Sequence, residues 1–239
     1  MKTVLRIILL TFLFVLPAAA QQKHEDTEKL GKALEYFASG KYHEALLLFQ
    51  RLDRDYKLNA RFRAYIGLCY YYEWEYDKAC KYLDELIPQL DALAPHERSV
   101  YYYAAAESHF HQQQYKEAVP YYEKVLNVCY EREKGDVFYR MGFCYMFLDQ
   151  WANARDCFQS SENYYVRFRN TPDLNARLSQ LTKMIKGCEK NMPESDLYIE
   201  PADTTAATDS LPSHVGIDET QREQILHATD DIDTLRTVE

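Results

Sequence analysis

The chain has 239 residues, 47% of them apolar and 14% aromatic, and a net charge of −9. Twelve Asp or Glu and two Arg fall between Pro193 and Glu239, so that tail alone carries −10 and residues 21–192 are close to neutral. A near-neutral body argues against a nucleic-acid surface, and its length suits one domain of ordinary size.

Lys2 and Arg6 come first, then an apolar run from Ile7 to Leu16, then Pro17, Ala18, Ala19 and Ala20. Charge, apolar run and small residues in that order form a cleavable export signal over residues 1–20. The run is too short to span a bilayer, which takes about 20 residues, so no membrane span is expected in the mature chain. A retained signal anchor is the alternative, which the three alanines disfavour.

From about Glu25 a pattern recurs four times: a small residue, an aromatic, an alanine and a large apolar residue. Its copies are Ala33, Tyr36, Ala45, Phe49; Gly67, Tyr70, Ala79, Leu83; Ala106, His109, Ala118, Tyr122; and Gly142, Tyr145, Ala154, Phe158. Their starts lie 34, 39 and 36 residues apart, a period that marks a repeat array. Apolar spacing of three and four makes the units helical. Chain breaks fall at Ser39-Gly40, Glu73-Trp74-Glu75, Gln112-Gln113-Gln114 and Leu148-Asp149-Gln150, each followed by a corner aromatic: Tyr42, Tyr76, Tyr115 or Trp151. Each unit is therefore a helical hairpin. Its small residue is expected to face the alanine of the second helix, so that the two axes approach closely.

Ile66-Gly67-Leu68-Cys69-Tyr70 and Met141-Gly142-Phe143-Cys144-Tyr145 carry the Leu-Gly-x-x-Tyr signature, followed by Ala and then a large apolar residue. In these residues the chain resembles the tetratricopeptide repeat (TPR) family, from Glu25 to Ser161. The resemblance implies an all-α, right-handed solenoid of about four hairpins. It also implies a concave inner face on which extended peptides or partner helices lie. The chain departs from the family in lacking the first-helix tryptophan, whose slot Tyr102 and Phe138 take in the last two units, and in having His109 for the expected tyrosine.

After the fourth unit, Thr171-Pro172-Asp173 starts another helix. Leu174, Leu178, Leu181, Ile185 and Cys188 give it one apolar stripe, as a solvating cap requires. The body thus runs over residues 21–192. Residues 193–239, acidic and without Trp or Phe, bury too little to fold and read as a disordered tail.

First helices carry a second apolar stripe beside the core stripe. Phe37, Leu68, Tyr71, Tyr72, Tyr103, Phe110, Tyr139, Phe143 and Phe147 lie on it. The resemblance places this line on the concave face, as a groove for a protein or peptide segment. The alternative is that these residues pack neighbouring helices or a segment of the same chain. Arg61 stands almost alone as a cation on this face, which argues against the carboxylate-gripping mode of the family.

The remaining chemistry is sparse. Cys69, Cys80, Cys144 and Cys157 read as buried thiols, whereas Cys129 and Cys188 could pair. No two cysteines lie closer than eleven residues, and His24, His43 and His96 each lack a second histidine four residues on, so no metal or cofactor is expected. No phosphate loop or nucleophile elbow occurs. These residues point to an exported, periplasmic, non-catalytic protein-binding scaffold. A structural subunit of a cell-envelope assembly is the alternative.

Overall fold

Apolar spacing of three and four becomes helix throughout a computed structural model that describes residues 27–169 and 171–193. The expected export signal, residues 1–20, and the chain beyond Pro193 lie outside the described residues. Helix α1 covers 27–38, followed by α2 (Tyr42–Tyr56), α3 (Ala60–Tyr72), α4 (Tyr76–Leu86), α5 (Pro95–His111), α6 (Tyr115–Leu126), α7 (Glu131–Phe147), α8 (Trp151–Phe168) and α9 (Leu174–Asn191). No strand occurs among the described residues. From α2 onward each helix packs on the next, and α3 also touches α5. The result is a right-handed solenoid of four hairpins closed by α9.

One backbone device makes all four hairpin turns. Gly40, Trp74, Gln113 and Asp149 each take a left-handed φ, at 71°, 62°, 60° and 57°. The next amide closes back on the carbonyl five residues earlier: Lys41 to Tyr36, Glu75 to Tyr70, Gln114 to His109 and Gln150 to Tyr145, at 2.8–2.9 Å. That is the Schellman closure of a helix end, and it satisfies carbonyls that the last turn leaves unpaired. Only the first turn has the glycine such a φ favours. The corner aromatic then opens the second helix in every unit, as the sequence predicts.

Packing inside the hairpins corrects one expectation. A Cβ on Gly67 would lie 2.8 Å from Leu83 Cδ2, and one on Gly142 would lie 2.5 Å from Phe158 Cε1. The small residue therefore faces the large apolar residue sixteen positions on, rather than the alanine. Ala45, Ala79, Ala118 and Ala154 are themselves fully buried. At Gly67 and Gly142 the space a Cβ would fill is taken by the opposing side chain, whereas the first and third units carry Ala33 and Ala106.

Helix starts are fixed locally. The Asn59 side chain accepts from the Phe62 amide at 3.1 Å to cap α3. Pro95 opens α5, where its missing N–H costs nothing. Glu133 reaches back to the Tyr130 amide at 3.2 Å ahead of α7. At the far end Leu181, Ile185 and Cys188 of α9 join Ala154, Phe158 and Tyr165 in a second core cluster. The one-sided stripe thus acts as the cap it was read to be. The six cysteines are all free. Cys188 lies in this terminal cluster while Cys129 borders the main one, so the possible Cys129–Cys188 pair does not form.

Candidate functional site

The first helices of the four hairpins, α1, α3, α5 and α7, carry the second stripes. Their rings connect from unit to unit by a repeated contact. The corner aromatic of one unit stacks on the last-turn ring of the next. Tyr42 lies on Tyr72 at 4.2 Å and 11°, Tyr76 on His111 at 4.4 Å and 9°, and Tyr115 on Phe147 at 4.7 Å and 27°. Phe37 meets Tyr72 edge-on at 6.0 Å, and Phe110 joins Tyr115 and Phe147 at 5.4 and 6.2 Å. Such offset and edge contacts suit the ring quadrupoles. They also leave ring faces and edges at the surface: Tyr72 is 39% exposed and Phe147 49%.

The other predicted residues divide by depth. Phe37, Tyr71, Tyr103, Phe110, Tyr139 and Phe143 are half-buried. Leu68 is the correction, at 2% exposed and part of the main core. Helix α3 is flanked by both α2 and α5, which seals the middle of its inner stripe. Tyr139 and Phe143 pack on the terminal cluster, and Phe143 meets Phe158 at 5.4 Å. The Arg177 guanidinium of α9 covers the Tyr139 ring at 4.6 Å. The cap helix therefore takes up part of the surface that the sequence leaves open at this end.

Two functional-looking residues escape the apolar reading. Glu107 sits in the stripe between Tyr103 and Phe110, yet its side chain is only 3% exposed. It accepts from the Tyr122 hydroxyl and from Arg140 of the next unit. Arg140 in turn lies over the Phe110 ring at 4.8 Å. Burial first, and then the Glu107 charge, hold the phenols of Tyr71, Tyr103 and Tyr122 well above the usual range. An isolated buried carboxylate would be costly, so the Arg140 pairing is what allows it here. The signal was in the sequence: the spacing 103, 107, 110 puts a carboxylate on a face otherwise lined with rings.

Burial pushes the Cys69, Cys144 and Cys157 thiols up to about 12, leaving them protonated and unreactive at neutral pH. Among the described residues no three His, Cys, Asp or Glu side chains converge as a metal would need. No described helix is long and apolar enough to cross a membrane.

Comparison with known proteins agrees with the fold. Residues 100–128 and 136–165, within the third and fourth units, match the tetratricopeptide repeat profile. No curated protein matches the chain by sequence. Among solved structures, MamA AMB-1 is 15% identical, with 71% of this chain and 87% of that one covered and a TM-score of 0.55. MamA from residue 41 to the end, from Desulfovibrio magneticus RS-1, is also 15% identical, covering 70% and 90%, with a TM-score of 0.54. At that identity the likeness is one of fold.

Proposed function

We propose that this chain, a member of the tetratricopeptide-repeat proteins, is a non-catalytic scaffold whose ringed trough holds a segment of another protein. Stacked repeats are suited to extended binding surfaces, and the observation that carries the reading is the ladder of corner rings. It runs across all four units and presents the exposed Tyr72 and Phe147. Burying a large side chain contributes about 1.5–3 kcal/mol before ordering costs, so three or four such contacts sustain a working complex. The basic, apolar and small residues of the first twenty positions support export, and with it a periplasmic location.

A photo-crosslinker placed at Phe147 or Tyr72 should capture a discrete protein in cells, whereas one at Leu47, exposed on a second helix, should not. With the crosslinker at Phe147, Tyr72→Ala should weaken that capture, as should Phe147→Ala with the crosslinker at Tyr72, and each should leave the melting temperature within a few degrees. A large loss of stability would make these rings part of the core and remove the trough. Co-purification in fixed stoichiometry would instead identify a subunit of an envelope assembly.

A further inference from the structure

Away from the trough, one buried polar cluster joins the second unit to the third. Where the other units place Tyr36, Tyr70 and Tyr145, the third has His109, which is 6% exposed. Its Nδ1 lies 2.7 Å from Gln114 Oε1 in the α5–α6 turn, and its Nε2 lies 3.1 Å from Asp84 Oδ1 on α4. The Tyr121 hydroxyl of α6 donates to the same Asp84 oxygen at 2.6 Å, and its ring stacks on the imidazole at 5.5 Å. The Cys80 thiol, one turn before Asp84, lies beside the imidazole. Lys124 lies over the Tyr121 ring at 5.3 Å and adds its charge near Asp84.

We propose that His109 works as an imidazolium bolt, one ring nitrogen donating to Asp84 across the joint between the second and third units and the other to Gln114 in its own turn, and that the joint loosens when the proton leaves. Each ring nitrogen faces an oxygen acceptor, and only the cation has two N–H donors. A tyrosine hydroxyl in this slot would offer a single donor. Burial by itself would make the ring harder to protonate. The hydrogen bonds with Asp84 and Gln114, together with the neighbouring Cys80, outweigh it and push the ring up to about 10. Burial likewise favours a neutral Asp84, yet the His109 and Tyr121 hydrogen bonds hold its carboxyl below the usual range. The folded ring then binds its proton more tightly than the unfolded one, whose ordinary value is about 6.5. The stability it confers is full below about pH 6.5 and is lost as pH rises towards 10. His109 also precedes Phe110 and His111, so the bolt fixes the turn of α5 that sets the middle of the trough.

The test is a pH titration of the histidine ring signals by NMR in the full chain, with urea unfolding of wild type, His109→Gln and Asp84→Asn. One ring should stay protonated past pH 8.5, be missing in His109→Gln and titrate lower in Asp84→Asn. The wild-type advantage in unfolding constant over His109→Gln should fall at least about tenfold between pH 6 and 9. A flipped Gln114 amide would satisfy a neutral ring instead, and that ring would titrate near or below 6.5. Either that titration or a pH-independent advantage overturns the bolt. Should His109→Gln fail to fold, the ring titrations of wild type and Asp84→Asn decide the question.

Discussion

Replacing Gly142 by alanine tests the close approach on which each hairpin depends. The new Cβ would sit 2.5 Å from Phe158 Cε1, 2.7 Å from Cδ1 and 2.9 Å from Cζ. Carbon atoms prefer about 3.5–4.0 Å, so the ring must retreat by about 1 Å. It has little room, being fully buried with Phe143 at 5.4 Å and Tyr139 at 6.1 Å. Overpacking of this kind costs about 1–3 kcal/mol, and alanine returns about 1 kcal/mol of helix propensity. Gly187→Ala is the matched control: it is also helical, nothing lies within 4 Å of its Cβ, and it keeps the whole gain. The two variants should therefore differ by about 1–3 kcal/mol. That corresponds to roughly 3–10 °C in melting temperature for a chain of this size. Parallel thermal and urea melts followed by far-UV circular dichroism would measure it. Equal shifts for the two substitutions would refute the idea that glycine is required at 142 by the ring across the hairpin.

Removing the Glu107 carboxylate leaves the buried Tyr122 hydroxyl and the partly exposed Arg140 guanidinium without their acceptor. Glu107→Ala should cost about 1–3 kcal/mol in urea unfolding, and Glu107→Gln, which keeps an acceptor, distinctly less. A loss below about 1 kcal/mol for both would show that the pair contributes little. At the turns, Gln113→Gly and Asp149→Gly relieve left-handed residues and should each add about 0.5–1 kcal/mol, whereas Gly40→Ala should remove a similar amount. The reverse order in melting temperature would mean that the turns are held by their side chains and not by backbone conformation.

Local periodicity determined the hairpins, because a helix announces its own faces in residues three and four apart. It placed the breaks at Gly40, Trp74, Gln113 and Asp149 within a residue or two, put Tyr42, Tyr76, Tyr115 and Trp151 at the corners, and marked α9 as a one-sided cap. It also gathered the rings of the candidate trough onto one side of the first helices. What it could not settle was which neighbour covers each face. That depends on the angle and offset between units, which no window of one helix contains. Only the stacked structure sealed Leu68, turned Gly67 and Gly142 towards Leu83 and Phe158, and laid Arg177 over Tyr139. The same offset carried Arg140 to a carboxylate 33 residues away and His109 to one 25 residues back. Burial and charge pairing are properties of the space between helices, and the sequence fixes that space only through the sum of all its contacts.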